Sequence, residues 1–120
     1  MQRKEIGSQG EQLACNFLKK KGYRILETNY RCLYGEIDIV ARHQSCLVFV
    51  EVRSRSHPGF GAPEESLTSA KVSHLENSVY HYLQHHTNLP ESWRVDLVAI
   101  EMDNRNRLKR IDIIENALAD

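Results

Sequence analysis

Apolar residues recur along this chain with two periods, and the switches between them mark its elements. Over 8–22 the spacing is helical. Leu13, Ala14, Phe17 and Leu18 form a stripe, Gly22 ends it, and Ser8 with Glu11 fits a capping box at its start. Residues 23–26 read as a first strand, leading through 27–31 into two short runs of alternating character, 35–41 and 47–53. A loop follows over 54–65, which holds Pro58, Gly59, Gly61 and Pro63. Helical spacing returns from Thr68 or Ser69 to about His86, carried by Val72, Leu75, Val79, Tyr82 and Leu83 and ended by Asn88, Leu89 and Pro90. Strands are predicted over 93–100 and 108–114, with a polar turn at 103–107 and a short helix or tail over 115–118. Helix, three strands, helix, two strands predicts an α/β fold with one sheet flanked by helices, in a single domain spanning 1–120.

The two central runs carry the chemistry. A polar break at His43, Gln44, Ser45 and Cys46 suits a hairpin. A four-residue loop over 43–46, or a two-residue one at Gln44 and Ser45, sets Arg42 against Leu47, Val40 against Phe49, Asp38 against Glu51 and Glu36 against Arg53. Strand alternation then gathers Ile37, Ile39, Ala41, Val48, Val50 and Val52 on one apolar face. The other face is apolar near the turn and charged at the open end. Opposed side chains stand about 5 Å apart, so two carboxylates there repel by roughly 3 kcal/mol at an effective dielectric near 20. A sequence selected for stability alone would avoid that pairing. A divalent cation converts the repulsion into coordination, because hard cations prefer carboxylate oxygens.

Composition narrows the classes. Hydrophobic content is 41% and charged content 27%, ordinary for a globular domain. No apolar run approaches the ~20 residues of a membrane span, and the first residues lack the apolar core of a secretory signal. Cys15, Cys32 and Cys46 are odd in number and widely spaced, which predicts reduced thiols in the cytoplasm and neither a disulfide framework nor a zinc knuckle. Net charge is zero, which argues against coating nucleic acid by charge alone. Local basic clusters remain: Lys19 to Lys21 with Arg24, Arg53 with Arg55, and Arg105, Arg107, Lys109 and Arg110. His74, His81 and His85 share a helix face without a companion metal motif and read as solvated.

Asp38 followed thirteen residues later by Glu51-Val52-Arg53 resembles the PD-(D/E)XK nuclease signature. Around it stand Gly10-Glu11 on a helix, Gly22-Tyr23, Ile25-Leu26 and Asn29-Tyr30-Arg31. Then come Gly35 through Ala41, Val48 through Arg55, Gly61, Lys71, Tyr82-Leu83 and Arg94 through Val98. These segments in this order resemble the bacterial YraN family of endonuclease-like proteins and are similar to the archaeal Holliday-junction resolvases.

The resemblance implies a restriction-endonuclease-like α/β/α sandwich with a mixed central sheet of about five strands. It also implies Mg2+- or Mn2+-dependent hydrolysis of DNA phosphodiester bonds, on branched DNA if the resolvase similarity extends to substrate, and a homodimer if it extends to assembly. Carried over, Asp38 and Glu51 hold the metal with the backbone carbonyl of Val52, and Glu11 is the helix-borne acid reaching the same site. One position departs: Arg53 stands where the family has lysine. Arginine stays protonated and cannot act as a general base. It can stabilise charge through its fork of donors, and Lys71 can supply an ammonium. The rival readings are a non-catalytic nucleic-acid-binding module with a degenerate site and a protein-interaction domain.

Overall fold

The computed structural model describes the backbone of residues 2–56 and 62–118, and side chains over 9–56, 62–63 and 65–118. Pro58, Gly59 and Gly61 of the loop lie outside the described residues. The element order is α1 (Gln2–Lys20), β1 (Arg24–Cys32), β2 (Gly35–His43), β3 (Cys46–Arg55), a 3-10 turn (Pro63–Ser66), α2 (Ser69–His85), β4 (Ser92–Met102) and β5 (Leu108–Ile114). The five strands form one sheet in sequence order. β3 and β4 are parallel and every other neighbouring pair is antiparallel. A parallel pair needs a long crossover, and α2 provides it.

Each helix covers one face. Ala14 and Leu18 of α1 pack on Ile39, Ala41, Val48, Val50, Val98 and Ile100. Leu75, Val79 and Tyr82 of α2 pack on Ile37, Val40, Leu47, Phe49 and Val95. Burying such side chains stabilises the fold by about 1.5–3 kcal/mol each. This is a mixed five-stranded sheet between helices, the α/β/α layering of the restriction-endonuclease-like fold.

Helix ends follow local chemistry. Gly22, at φ 90°, lets the amides of Gly22 and Tyr23 donate back to the carbonyls of Lys19 and Leu18 at 3.1 and 3.0 Å, closing α1. Thr68 caps α2, its hydroxyl accepting from the Lys71 amide at 3.3 Å. The capping box expected at Ser8 and Glu11 is not how α1 begins: the helix starts at Gln2, so Ser8 lies inside it.

Of the two loop lengths compatible with the register, the β2–β3 hairpin has the two-residue turn, with Gln44 at φ 57° and His43 paired to Cys46. Its register is also as expected from Arg42–Leu47 through Val40–Phe49 to Ile39–Val50. There the ladder stops, before Asp38 and Glu51. Ile37 does not share a face with Ile39 but packs on the α2 side, so alternation breaks at Asp38.

On the α1 side, toward the β2–β3 turn, a polar network closes the sheet. Asp96, fully buried, accepts from the Tyr23 hydroxyl, Arg94 Nε and the Asn116 amide, each at 2.9 Å. Arg94 also reaches His43 at 3.0 Å, and His43 stacks on Tyr23. The Tyr23 hydroxyl, pushed up to about 12 by burial and then by its bond to Asp96, remains a donor.

Candidate active site

The break in alternation builds the site. Asn29, level with Asp38 on β1 between the Thr28–Ile39 and Tyr30–Ile37 pairs, sits in the left-handed region at φ 55°, which asparagine tolerates better than most residues. On the other side of β2, an Asp38 carboxylate oxygen accepts the Val52 amide at 2.8 Å. A side chain thus satisfies an amide of β3 where the ladder has ended. Asp38 projects into the gap between parting strands.

That position raises the proton affinity of Asp38. Its carboxyl is pushed up to about 8, first by burial, then by a hydrogen bond to Glu51 and by that residue's charge. The Val52 amide and the Arg53 charge act in the opposite sense and do not offset it. Asp38 and Glu51 therefore do meet, although across a gap rather than within a ladder.

Two more carboxylates close on Asp38. Oxygens of Glu11, Glu36 and Asp38 all lie within 4.8 Å of one another. Glu11 arrives from α1, and Gly10 beside it explains how. A Cβ built on Gly10 would stand 2.7 Å from Ser54 Oγ on β3, so glycine lets the helix approach the sheet here. Burial raises the Glu11 carboxyl above its ordinary range, a hydrogen bond from Asn29 opposes this, and Asp38 and Glu36 add to the rise. Glu36, expected to face Arg53, instead pairs with Arg31 opposite it on β1, at 3.6 Å. That bridge is exposed and weak.

Glu51 is bound differently. Arg53 Nη2 donates to Glu51 Oε2 at 2.8 Å, in a pair of 23% and 12% side-chain exposure. Arg53 Nε is buried and has no hydrogen-bond partner among the described residues, a state that costs about 1–3 kcal/mol unless an acceptor arrives. Glu36, Glu51, Arg53, Lys71, His74 and Tyr34 line a cleft of about 180 Å3. Lys71 stands at its exposed rim, its ammonium 3.4 Å from the Ser66 carbonyl. The site therefore has an acidic half, Glu11 with Glu36 and Asp38, and a mixed half holding Arg53 and Lys71; Glu36 belongs to both.

Of the residues singled out in the sequence, Asp38, Glu51, Arg53 and Glu11 converge, and Lys71 joins at the rim. Val52 contributes its amide to Asp38. The donor set is entirely oxygen, which suits Mg2+ or Mn2+ and disfavours soft metals. His81 and His85 stack at 4.0 Å, with His81 bonded to the Tyr30 hydroxyl. They join no third ligand: among the described residues the acidic trio is the one group of three metal-ligating side chains. Sequence reasoning gave no site role to Asn29, Tyr34 or His74. The tolerance of asparagine for a left-handed kink was the one available signal, and it needs a known register to be used.

Relatives match this sequence along nearly its whole length. A family profile described as uncharacterised protein family UPF0102 matches residues 10–100. A UPF0102 protein of Caldicellulosiruptor saccharolyticus is 39% identical over 117 residues, 98% of this chain and 99% of that one. Another, from Dehalococcoides mccartyi, is 42% identical over 118 residues, 98% and 96% of the two chains. A third, from Moorella thermoacetica, is 42% identical over 117 residues, 98% of each. The chain belongs to the UPF0102 family, the YraN family that its motifs resemble.

Proposed function

We propose that this protein is a divalent-metal-dependent endonuclease that hydrolyses DNA phosphodiester bonds. The observation that carries the reading is the meeting of Glu11, Glu36 and Asp38 within 4.8 Å, with Glu36 also lining the cleft that holds Arg53 and Lys71. Acids alone would repel a phosphodiester, and basic groups alone would bind it without cutting. Their juxtaposition matches what phosphoryl transfer requires of a protein, which is positioning and neutralisation of charge.

In this reading Asp38, Glu11 and Glu36 hold Mg2+ or Mn2+, with Glu51 beside them. When bound, such an ion polarises a phosphoryl oxygen and lowers the pKa of its water. Asp38 is fixed by the Val52 amide, so one of its oxygens keeps a set direction. Arg53 gives Nη2 to Glu51 and keeps its guanidinium charge beside the cleft. Its guanidinium stabilises charge and moves no proton. Lys71 adds an ammonium at the rim.

A second reading has its own support. The Arg53 bond ties up one of the two Glu51 carboxylate oxygens, which suits a nucleic-acid-binding module that no longer cuts. Calorimetric titration with Mg2+ and Mn2+, then incubation with plasmid and four-way-junction DNA, separates the two. The enzyme binds metal and cuts. Loss of an outer-shell partner in metal sites costs about 10–100-fold, so Asp38→Ala and Glu51→Ala should each lower cleavage by at least that much. Salt-sensitive DNA binding without cleavage in either metal supports the module. Neither metal binding nor DNA binding would leave a protein-interaction domain.

A further inference from the structure

We infer that the β1–β2 turn is a wedge that unstacks bases beside the acidic site, directing this protein to DNA with unpaired or frayed nucleotides. The inference rests on the endonuclease reading and names the substrate class of that same site.

Cys32 pairs with Gly35, so the turn consists of Leu33 and Tyr34. Tight turns usually carry Gly, Asn, Asp or Pro. Here Gly35, at φ 142°, takes the unusual backbone conformation, and neither tip residue has a positive φ. Two large side chains can therefore stand at the tip. Leu33 is 90% exposed, the most exposed large apolar side chain among the described residues, and Tyr34 is 46% exposed. One exposed leucine is ordinary; its address is not. Tyr34 lines the same cleft as Glu51, Arg53 and Lys71. Glu36, two residues beyond it, belongs to the acidic trio. A phosphate held near Arg53 would lie in the cleft that Tyr34 also lines, so the adjoining base is within the turn's neighbourhood.

The two side chains divide the task. Leucine is among the residues that enter base steps as apolar wedges, and an aromatic ring is a stacking platform for any base. Tyr34 is braced by an edge contact with His81, ring centres 6.3 Å apart. A duplex end, a flap or a branch has bases already loosened, so the cost of unstacking is lowest there. The tip thus selects for distortion without reading sequence.

The test uses the full chain with Ca2+ in place of Mg2+, and three DNAs of matched length: intact duplex, duplex with a 5′ flap, and single strand. Each carries 2-aminopurine, at the junction where there is one, and the variants are Leu33→Ser with Tyr34→Ala, and Tyr34→Phe alone. We expect wild type to bind flap DNA more tightly than duplex and to raise 2-aminopurine fluorescence at the junction. The double variant should lose that rise and about tenfold of the flap preference, the scale of one base–aromatic stack. Tyr34→Phe should keep both. If wild type binds flap DNA with no fluorescence rise, or the double variant gives the same rise, the wedge is overturned while the endonuclease reading stands. Failure of wild type to bind any of the DNAs overturns both. If sedimentation shows the double variant turning a dimer into a monomer with the fluorescence rise intact, the tip is a self-association contact and the wedge is overturned.

Discussion

At the residue scale, Asp38 holds a carboxyl where the metal-free protein would be more stable without a charge. Its native proton affinity exceeds that of an unfolded aspartate, so the native state binds the proton more tightly. Stability from this group is complete below the ordinary value of 3.8 and is lost as pH climbs through about 8. Urea melts of metal-free protein should therefore show a lower midpoint at pH 9 than at pH 5. Asp38→Asn should shrink that difference and raise the midpoint at pH 9, because an amide can accept from Val52 and donate to Glu51. It should also abolish the response of the melt to Mg2+. Arg53 makes a second prediction. Its Nη2 bond to Glu51 gives arginine a fitted place that a shorter-reaching ammonium does not fill in the same way, so Arg53→Lys should lower cleavage about tenfold, the scale of one lost hydrogen bond to a charged group, with the fold intact. A faster Arg53→Lys enzyme would instead mark lysine as the better catalytic group here.

At the element scale, the site depends on how closely α1 lies to β3. Glycine inside a helix costs about 0.5–1 kcal/mol relative to alanine, and Gly10 is retained where a Cβ would meet Ser54 Oγ at 2.7 Å. Gly10→Ala alone should bring no gain in stability. With Ser54→Ala the contact relaxes, since Ser54 Cβ lies at an ordinary 3.9 Å, and the pair should recover about 0.5–1 kcal/mol in a double-mutant cycle read by chemical denaturation. Thr68→Ala should cost about 1 kcal/mol through loss of the α2 cap and loosen the first turn, which carries Lys71.

Across the whole molecule, two polar assemblies in one sheet do different work. The Tyr23–Asp96–Arg94 network has its partners built in and ties the chain just before β1, β4 and the chain after β5 together. Asp96→Ala leaves Arg94 short of its carboxylate and should cost about 3–5 kcal/mol, whether or not metal is present. The acidic trio is only partly offset, by the Val52 amide, Asn29 and the exposed Arg31, so a cation that binds only the folded state must add stability. Mg2+ at a hundred times its dissociation constant should raise stability by about 2.7 kcal/mol in wild type, and by little in Asp38→Ala. A melt indifferent to Mg2+ and Mn2+ would count against the metal site. None of the helices over the described residues is long and apolar enough to cross a membrane.

Periodicity was enough to locate both helices, five strands and the hairpin register as far as Ile39 and Val50, because alternation and turn chemistry are local. It was enough, too, to single out Asp38 and Glu51, because acidic residues inside apolar strands are conspicuous one residue at a time; Glu11, Arg53 and Lys71 entered through the family resemblance. Local pattern carried the register too far, through Asp38–Glu51 and on to Glu36–Arg53. Extrapolation kept Asp38 in a ladder and Ile37 beside Ile39, whereas a left-handed Asn29 and a carboxylate bonded to the Val52 amide part the strands there. The approach of Glu11 and Glu36 to Asp38, the capture of Glu51 by Arg53, and the placing of Tyr34 at the cleft were decided by tertiary structure. Each depends on distances between segments far apart in the chain, which helix-on-sheet packing and the splay of two strands set together.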